Sequence, residues 1–590
     1  MNRLIHVTLA VLLAGVMLVG PASAAPADAV VGNGTPLSCS ESNFDAAVAG
    51  GGTITFDCGG PLTIQLTSPA SITTDTTIDG GSAITLTGHL ATQLFIVGVG
   101  ANLSLKNIIL DRGFGNHLSG GAILNAGNLS LDNVTIQGSV AGLNGGAIFA
   151  TGPVSIRNST LKNNSANSGG ALYEQNPRPV TIDNSTFTFN TDLDPHAGVG
   201  GAIALGSGAQ LTMTGGSLIS NQAVLDGGAL DLAAGASAVF APGAAGGTLF
   251  QSNSALAYGG AISNNGGTLV LEGANLAFNQ TLTDTIAIGF GGAIADEGAM
   301  SVDNSTFNTN QGRFGGAVFV GGNLFNAQAD IQHTLFVANT AAQSGGALYA
   351  NTVTTTVTIE DSNIEFNRAN FGGGVARVNA HLSISKSSIT NNLALNGGGL
   401  GVGAVPDPSD GPYVEVHDST ISGNLSTWGF GGGINNSGLL DLVNVTVADN
   451  HTSPLPPPNS AAGLYAVITG TVTRLQNSVL DNPGVNCFSD AGADAPTSGG
   501  FNYATDTTCG LSGFHDTQGE GLNPMLGSLT HDNSFTNYQM PQPGSPLIDQ
   551  ISGGCSPTDQ IFALRRGNCD IGAVEFDGLL PRIYVPLMRK

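Results

Sequence analysis

Acidic side chains that could act on a sugar occur at several places in this 590-residue chain. Hydrolysis of a glycosidic bond uses two carboxylates about 5–9 Å apart, and a pectate-type lyase uses clustered carboxylates for calcium with a basic residue that takes the proton. The groups with suitable residue types and spacing are Asp192 and Asp194 with His196, Asp296 with Glu297, Asp407 with Asp410, and Glu360, Asp361 and Glu365 with Arg368 and Arg377. Adjacent acids in loops are more often turn formers, so the sequence favours structural or solvated acids over a catalytic centre at each place.

The sequence patterns that could bind a metal or a cofactor also favour a structural interpretation. The C-terminal acids Asp549, Asp559, Asp570 and Glu575 could form a calcium cage, but turn-capping acids are the simpler interpretation. The histidines His117, His333 and His381 are isolated, and the sequence has no Walker loop or dinucleotide fingerprint. We therefore predict no catalytic residue, no metal site and no cofactor from the sequence.

A repeat accounts for most of the chain. Gly-Gly, then Ala or Gly, then an aliphatic residue occurs twelve times from Gly120 to Ile434, and neighbouring copies start 24 to 34 residues apart. A period in this range is typical of a solenoid. Alternating stretches such as Val180–Asp183 indicate short strands between turns. The elements that must position any functional side chain are therefore stacked coils.

A second pattern, an apolar residue followed three positions later by asparagine, recurs once in each coil. In a parallel β-helix, equivalent positions stack about 4.8 Å apart, so the amides can hydrogen-bond along the axis. Asparagine tolerates the left-handed turn conformation, and the glycine pair offers the same backbone freedom. We expect one residue of each Ala-Ile pair to enter the core. The predicted ladder consists of Asn190, Asn221, Asn253, Asn279, Asn310, Asn339, Asn367, Asn392, Asn424 and Asn450.

The predicted fold is all-β: a right-handed, single-stranded parallel β-helix, like that of the pectin lyases, with disulfide-stabilised ends. Fourteen or fifteen coils at about 4.8 Å would give a rod about 70 Å long. Helical solenoids are disfavoured by the glycine and β-branched content, and propellers by the single tryptophan, Trp428.

The two repeat signatures, GGA[ILV] and FxxN, resemble the repeats of chlamydial polymorphic outer-membrane proteins from about Gly120 to Asn450. That resemblance implies a β-helix and an adhesin-like role. The C-terminal region, with Cys509-Gly510-Leu511, Asn523-Pro524 and Cys569-Asp570-Ile571-Gly572, is similar to the choice-of-anchor Q domain of bacterial surface proteins over about 484–577. This second resemblance implies a bacterial protein at the cell surface.

The N-terminus and the cysteines indicate export. Arg3, an apolar run to Gly20 and Ala22-Ser23-Ala24 are typical of a secretory signal peptide. Six cysteines allow fifteen pairings, of which sequence proximity favours the local set, each bridge contributing about 3 kcal/mol. The favoured pairs, at the two ends of the repeats, are Cys39–Cys58, Cys487–Cys509 and Cys555–Cys569.

We divide the chain into a signal peptide, an N-terminal cap with the first coils, the repeats, a C-terminal domain and a short tail, with the ranges 1–24, 25–104, 105–482, 483–577 and 578–590. The net charge of −25 argues against nucleic acid as a partner, and we expect no transmembrane segment. The leading hypothesis is a secreted or cell-surface rod that is adhesin-like or binds matrix or carbohydrate, with an unidentified partner such as a polysaccharide or another cell surface.

Two alternatives remain: a polysaccharide lyase or glycoside hydrolase on the same scaffold, and a passive spacer. Clustered acids and aromatic residues on adjacent coils would favour the enzyme, and a uniformly bland lateral face would favour the spacer.

Overall fold

The chain forms a β-solenoid in which strands of successive turns pair in parallel. A computed structural model describes residues 28–194, 196–281, 289–322, 326–404, 413–453, 459–468, 470–532 and 534–578. The expected signal peptide, the acids Asp407 and Asp410, and tail residues 579–590 lie outside the described residues. The predicted all-β parallel fold is confirmed. Within the described residues, no helix has the length and apolar character needed to cross a membrane.

Sheet A is the largest sheet, with 31 strands. Most turns contribute two strands to it, and a residue with positive φ, such as Asn158 (49°) or Asn184 (45°), bends the chain between them. In five turns the two strands merge into one long strand, for example Asn102–Asp111. The strands of sheet A are Ala29–Gly32, Gly52–Asp57, Leu62–Gln65, Thr76–Thr87, Asn102–Asp111, Asn128–Gln137, Val154–Arg157, Thr160–Lys162, Pro179–Asp183, Thr186–Thr188, Gln210–Thr214, Ser217–Ile219, Ser237–Ala241, Leu249–Gln251, Thr268–Glu272, Asn275–Ala277, Ala299–Asp303, Thr306–Asn308, Gln328–Gln332, Leu335–Val337, Thr356–Glu360, Asn363–Glu365, His381–Ser385, Ser388–Thr390, Val414–Ser422, Leu439–Ala448, Val472–Gln476, Val479–Asp481, Thr497–Gly500, Tyr503–Ala504 and Thr517–Gln518.

Sheet B has 16 strands, no more than one for each turn, and most of them begin at the last residue of the Gly-Gly-Ala-Ile motif. Its strands are Ala70–Ile72, Phe95–Val97, Ile123–Asn125, Ile148–Ala150, Leu172–Glu174, Ile203–Leu205, Leu230–Leu232, Ile262–Asn264, Ile294–Asp296, Val318–Val320, Leu348–Asn351, Val375–Val378, Leu400–Val402, Ile434–Asn436, Leu464–Ala466 and Cys487–Ser489. Three small sheets are together called sheet C, and most of their strands follow a ladder asparagine. Their strands are Phe114–Gly115, Val140–Ala141, Ser165–Ala166 and Thr191–Asp192, then Ser254–Ala255, Gln280–Thr281, Gln311–Phe314 and Thr340–Ser344, and finally Leu393–Asn396, Leu425–Phe430 and His451–Thr452.

The asparagines named above stand in one buried file along the axis. In each step the Oδ1 of one asparagine accepts hydrogen bonds from the backbone N–H and the side-chain amide of the asparagine one turn earlier, as Asn221 does from Asn190 at 3.0 Å. The amide of Asn221 also donates to the carbonyl of Phe187. The file continues to Asn164 and Asn482, beyond the predicted range.

The left-handed residue of this turn is the one before each ladder asparagine, and not the asparagine itself. Phe189 and Ser220, for example, have φ values of 54° and 53°. The asparagine side chains point inwards and satisfy buried backbone groups, which explains why asparagine is needed at this position.

The two glycines of the repeat have different roles. The first is in the left-handed region in all twelve copies, as in Gly291 with φ of 65°. A Cβ on the second, Gly292, would lie 2.0 Å from the carbonyl oxygen of Gly316 in the next turn. The alanine and the isoleucine that follow, Ala293 and Ile294, are both fully buried. The expectation that only one of them enters the core is therefore wrong, because the turn places them on two inward-facing sides.

The solenoid is closed differently at its two ends. At the N-terminal end, a 3-10 helix at Pro36–Ser38 is followed by an α-helix at Glu41–Gly50, which buries Phe44 and Val48 against the first turn. Pairing of strands starts at Ala29 and continues to Gln518, so the stacked turns extend on both sides of the predicted 105–482 repeat range.

The segment after Gln518 folds back along the side of the rod. The amide of Asn537 donates to Glu365, and the side chains of Gln560 and Thr420 are hydrogen-bonded at 2.6 Å. This segment therefore covers the second strands of sheet A over several turns.

The three favoured cysteine pairs are all bonded, with S–S distances of 1.97 to 1.98 Å. Cys39–Cys58 and Cys487–Cys509 lie near the two ends of the solenoid. Cys555–Cys569 lies instead in the segment that covers sheet A, where it packs near Val479.

Candidate functional site

The predicted lyase cluster is not assembled in the structure. Arg377 is fully buried inside the rod, where its guanidinium donates to the carbonyls of Ala380 and Gly403. Glu365 accepts from the C-terminal segment through Asn537, and Glu360 lies 3.5 Å from Lys386. Glu360 and Glu365 lie on sheet A, whereas Arg377 is buried in a sheet B strand, so the acids and this arginine do not converge on one site.

Three acids at the other predicted places, Asp192, Asp194 and Asp296, also have structural partners. Asp192 is buried and accepts from the backbone N–H of Val224 at 2.7 Å, and Asp194 accepts from the backbone N–H of His196 at 2.9 Å. Asp296 is inside the rod and accepts from the Asn264 amide. Burial raises the pKa of Asp192 and of Asp296 to about 7.

The C-terminal acids are held by hydrogen-bond donors. Asp559 accepts from the backbone N–H groups of Ile561, Ala563 and Glu575, and Asp570 accepts from those of Asp549 and Phe576. Calcium requires oxygen ligands instead of N–H donors. The described residues contain no group of three His, Cys, Asp or Glu that could hold a metal ion.

Arg565 is the residue that sequence reasoning missed in this segment. It is almost fully buried, lies 3.1 Å from Glu575 and reaches Asp418 on the solenoid at 3.4 Å. The arginine therefore links the C-terminal segment to the rod, and its partners Glu575 and Asp418 take part in this contact.

A different set of side chains forms the most distinctive surface of the rod, which we call the acidic–aromatic stripe. It consists of residues just before a Gly-Gly pair and residues in or next to sheet B strands. Its members are Asp226, Asp231, Tyr258, Phe290, Glu297, Phe314, Phe319, Tyr349 and Phe371.

The geometry of the repeat brings these two sets of positions together. The left-handed glycine turns the chain so that the residue before it lies against the central sheet B residue of the next turn. Phe290 and Phe319 have ring centroids 4.5 Å apart, and Phe314 and Tyr349 are 5.3 Å apart. The same geometry packs the Phe371 ring against Gly401, where an added Cβ would lie 2.7 Å from the ring.

Rings on neighbouring turns also contact each other along the axis. Tyr258 stacks on Phe290 at 5.1 Å, and Phe290 stacks on Phe314 at 5.3 Å. Phe319 and Tyr349 are buried beneath them, whereas Tyr258, Phe290 and Phe314 remain partly exposed. The outer rings thus present an apolar edge to solvent over successive turns.

Acids lie at one end of this aromatic row. Burial, with a smaller contribution from the nearby Glu297, raises the pKa of Asp226 to about 6. The pKa of the buried Asp231 is raised well above its usual value by burial and then by Asp226. One carboxylate oxygen of Asp226 is buried and accepts no hydrogen bond within the part of the chain that the structure describes. In mildly acidic solution, near pH 6, Asp226 can therefore donate as well as accept hydrogen bonds.

Two shallow depressions lie elsewhere, on the first strands of sheet A. Their volumes are about 670 and 600 Å³, and they are lined mainly by small polar side chains such as Thr181, Ser130 and Thr358. Neither is lined by an aromatic residue, which distinguishes both from the stripe.

Comparison of the chain with protein families, with curated proteins and with solved structures finds no match. The resemblances to the chlamydial repeats and to the anchor domain therefore rest on their motifs alone.

Proposed function

We propose that the protein is an exported, adhesin-like rod that binds an uncharged polysaccharide along the acidic–aromatic stripe. The observation that carries this proposal is the row of partly exposed rings on successive turns with titratable carboxyl groups at one end. Sites for organic ligands combine aromatic surface with a few polar groups in this way. A sugar offers C–H faces to the rings and hydroxyl groups to the carboxyls.

The shape and charge of the rod favour an uncharged polymer over other ligands. The stripe runs from the turn of Asp226 to that of Phe371, five turn steps and therefore about 24 Å at the spacing of parallel strands. The net charge of −25 would repel acidic polysaccharides.

Location at the cell surface is supported by three disulfides, which persist in oxidising compartments. The expected signal peptide and the two family resemblances point to the same place, on a bacterial cell.

The proposal is tested by screening the mature protein against immobilised neutral and acidic polysaccharides, together with Tyr258→Ala and Asp226→Ala. Each substitution should weaken binding to a neutral polymer about tenfold, because each removes a contact worth roughly 1.4 kcal/mol. Tyr413→Ala is the matched control, since Tyr413 is 44% exposed and lies off the stripe. Binding of no neutral polymer, or binding that both stripe variants retain, would refute the proposal.

A glycoside hydrolase at the same stripe is the second candidate function. It is favoured by the pKa of Asp226, about 6, because a general acid must hold a proton near the working pH. Release of reducing ends from a bound polymer, abolished by Asp226→Asn, would establish hydrolysis. Binding without release of reducing ends would leave the rod as a non-catalytic binder.

A further inference from the structure

Three phenylalanines occupy the same position of the repeat in turns that are three apart. Phe189, Phe278 and Phe366 each stand immediately before a ladder asparagine, and the intervening turns carry Ser220, Ser252, Thr309 and Ala338 at that position. The register of the preceding strands links these turns without a gap. At about 4.8 Å per turn, the rings lie about 14 Å apart and span about 29 Å. We call this set the phenylalanine row.

The fold gains little from a phenylalanine at this position. The three residues have φ values of 54°, 57° and 57°, a left-handed conformation that is unfavourable for a bulky side chain. Their side chains are 58%, 52% and 57% exposed, so little burial offsets the strain. Other turns satisfy the same position with Asn163, Asn391 or Gly423, residues that tolerate it better.

The surface beside the phenylalanine row is uncharged. In the six turns from Phe189 to Ala338 the flanking residues are Thr188, Ile219, Gln251, Ala277, Asn308 and Val337 on one side, and Thr191, Gln222, Ser254, Gln280, Gln311 and Thr340 on the other. Charge returns only in the turn of Phe366, with Glu365 and Arg368. On a chain with a net charge of −25, this strip offers amides and hydroxyls between aromatic rings.

We propose that the phenylalanine row is a second binding surface, which takes a linear, uncharged polysaccharide with its axis along the rod. Evenly spaced rings fit a ligand that repeats along its length. Side-chain amides and hydroxyls match sugar hydroxyl groups. The net charge disfavours both an acidic polymer and a second copy of this chain. The proposal uses no residue of the acidic–aromatic stripe and stands independently of it.

Replacing the phenylalanines with asparagine separates binding from folding. Asparagine suits the left-handed backbone, so Phe189→Asn, Phe278→Asn and Phe366→Asn should each raise the melting temperature, by an amount on the order of 1 °C. Each should also weaken binding to one of three soluble probes, hydroxyethylcellulose, galactomannan or dextran, by about five- to tenfold. The triple variant should lose measurable retardation in affinity gels that contain that polymer.

Thr309→Asn is the matched control, because it makes the same change at the same backbone position without removing a ring. It should also raise the melting temperature but leave binding unchanged. Introducing the three asparagines into a Tyr258→Ala protein, in which binding at the stripe is weakened, should still lower the remaining affinity. The result for the phenylalanine row therefore does not depend on whether the stripe binds a polymer.

Three outcomes would overturn the proposal: no retardation of the wild type by any of the three polymers, equal retardation of the wild type and the triple variant, or stronger binding to polygalacturonate than to the neutral polymers. Sedimentation velocity adds a fourth. A dimer that the triple variant abolishes would assign the phenylalanine row to self-association.

Discussion

At the scale of single residues, the interior of the rod depends on asparagine amides. Asn310 accepts hydrogen bonds from the backbone N–H and the amide of Asn279, and it donates to Leu276 and Asn339. All of these groups are buried, so no water can replace a lost partner. Because asparagine recurs at this position in successive turns, its hydrogen bonds form a continuous network along the axis.

Asn310→Ala should destabilise the protein by about 3 kcal/mol or more, because it leaves two donors of Asn279 and the carbonyl of Leu276 unpaired. The measurement is the free energy of unfolding by urea. Gln311→Ala, at the exposed neighbouring residue, is the control and should change stability by less than about 0.5 kcal/mol. Equal effects of the two substitutions would contradict a stabilising ladder.

Asp296 makes stability depend on pH. Burial raises its pKa from 3.8 to about 7 in the folded protein. The folded state therefore holds a proton that the unfolded state releases between about pH 4 and pH 7, so stability is greatest below this window and falls as the pH rises through it.

Asp296→Asn should remove this loss and raise stability at pH 8 relative to the wild type, by an amount on the order of a few kcal/mol. Unfolding curves at pH 4, 6 and 8 provide the test, with the exposed Asp330→Asn as the control. A wild-type pH dependence that persists unchanged in Asp296→Asn would show that this carboxyl is not responsible.

At the scale of elements, the turn into sheet B depends on the close approach of backbones. Gly292 packs against Gly316 one turn later, and comparable contacts recur along the repeat, as between Gly316 and Gly346. Any side chain at this position would push two turns apart. This requirement explains why the second glycine recurs although its φ does not demand glycine.

Gly292→Ala should destabilise the rod by about 3 kcal/mol or more, since the new Cβ would lie 2.0 Å from the carbonyl oxygen of Gly316. Gly50→Ala is the control, because a Cβ there meets nothing within 4 Å. Urea unfolding midpoints compare the two. A Gly292→Ala protein as stable as Gly50→Ala would contradict the packing role.

The repeat allowed the fold to be predicted from the sequence, because its period and its short alternating strands indicate stacked coils. The stripe could not be predicted in the same way. Its members, such as Asp226 and Tyr258, lie just before the glycine pairs, at a position where the residue type varies. Only the turn geometry reveals that this position meets the central sheet B residue of the next turn.

The phenylalanine row was missed for a similar reason. The sequence analysis considered the left-handed conformation only for asparagine and glycine, whereas the structure places it at the residue before each ladder asparagine, such as Phe278. A left-handed residue that carries a side chain destabilises the fold by about 1–2 kcal/mol. The three phenylalanines of the row together therefore lower the stability of the fold substantially. This cost is visible only once the backbone is known.

At the scale of the whole molecule, the protein is a rod whose sides differ. The C-terminal segment covers part of sheet A and is fastened to it by contacts such as that between Arg565 and Asp418. The first strands of sheet A carry polar depressions, and the turns that lead into sheet B carry the acidic–aromatic stripe. A passive spacer would require neither the partly exposed rings nor the carboxyl groups with raised pKa values.

Hydrogen–deuterium exchange with and without the tightest-binding neutral polysaccharide tests the central claim most directly. The account predicts slower exchange, in the presence of the polymer, in segments 256–262 and 289–297, which contain Tyr258, Phe290 and Glu297. Slower exchange confined to the sheet A strands Thr268–Glu272 and Gln328–Gln332, which line one of the depressions, would contradict it, as would unchanged exchange throughout the rod.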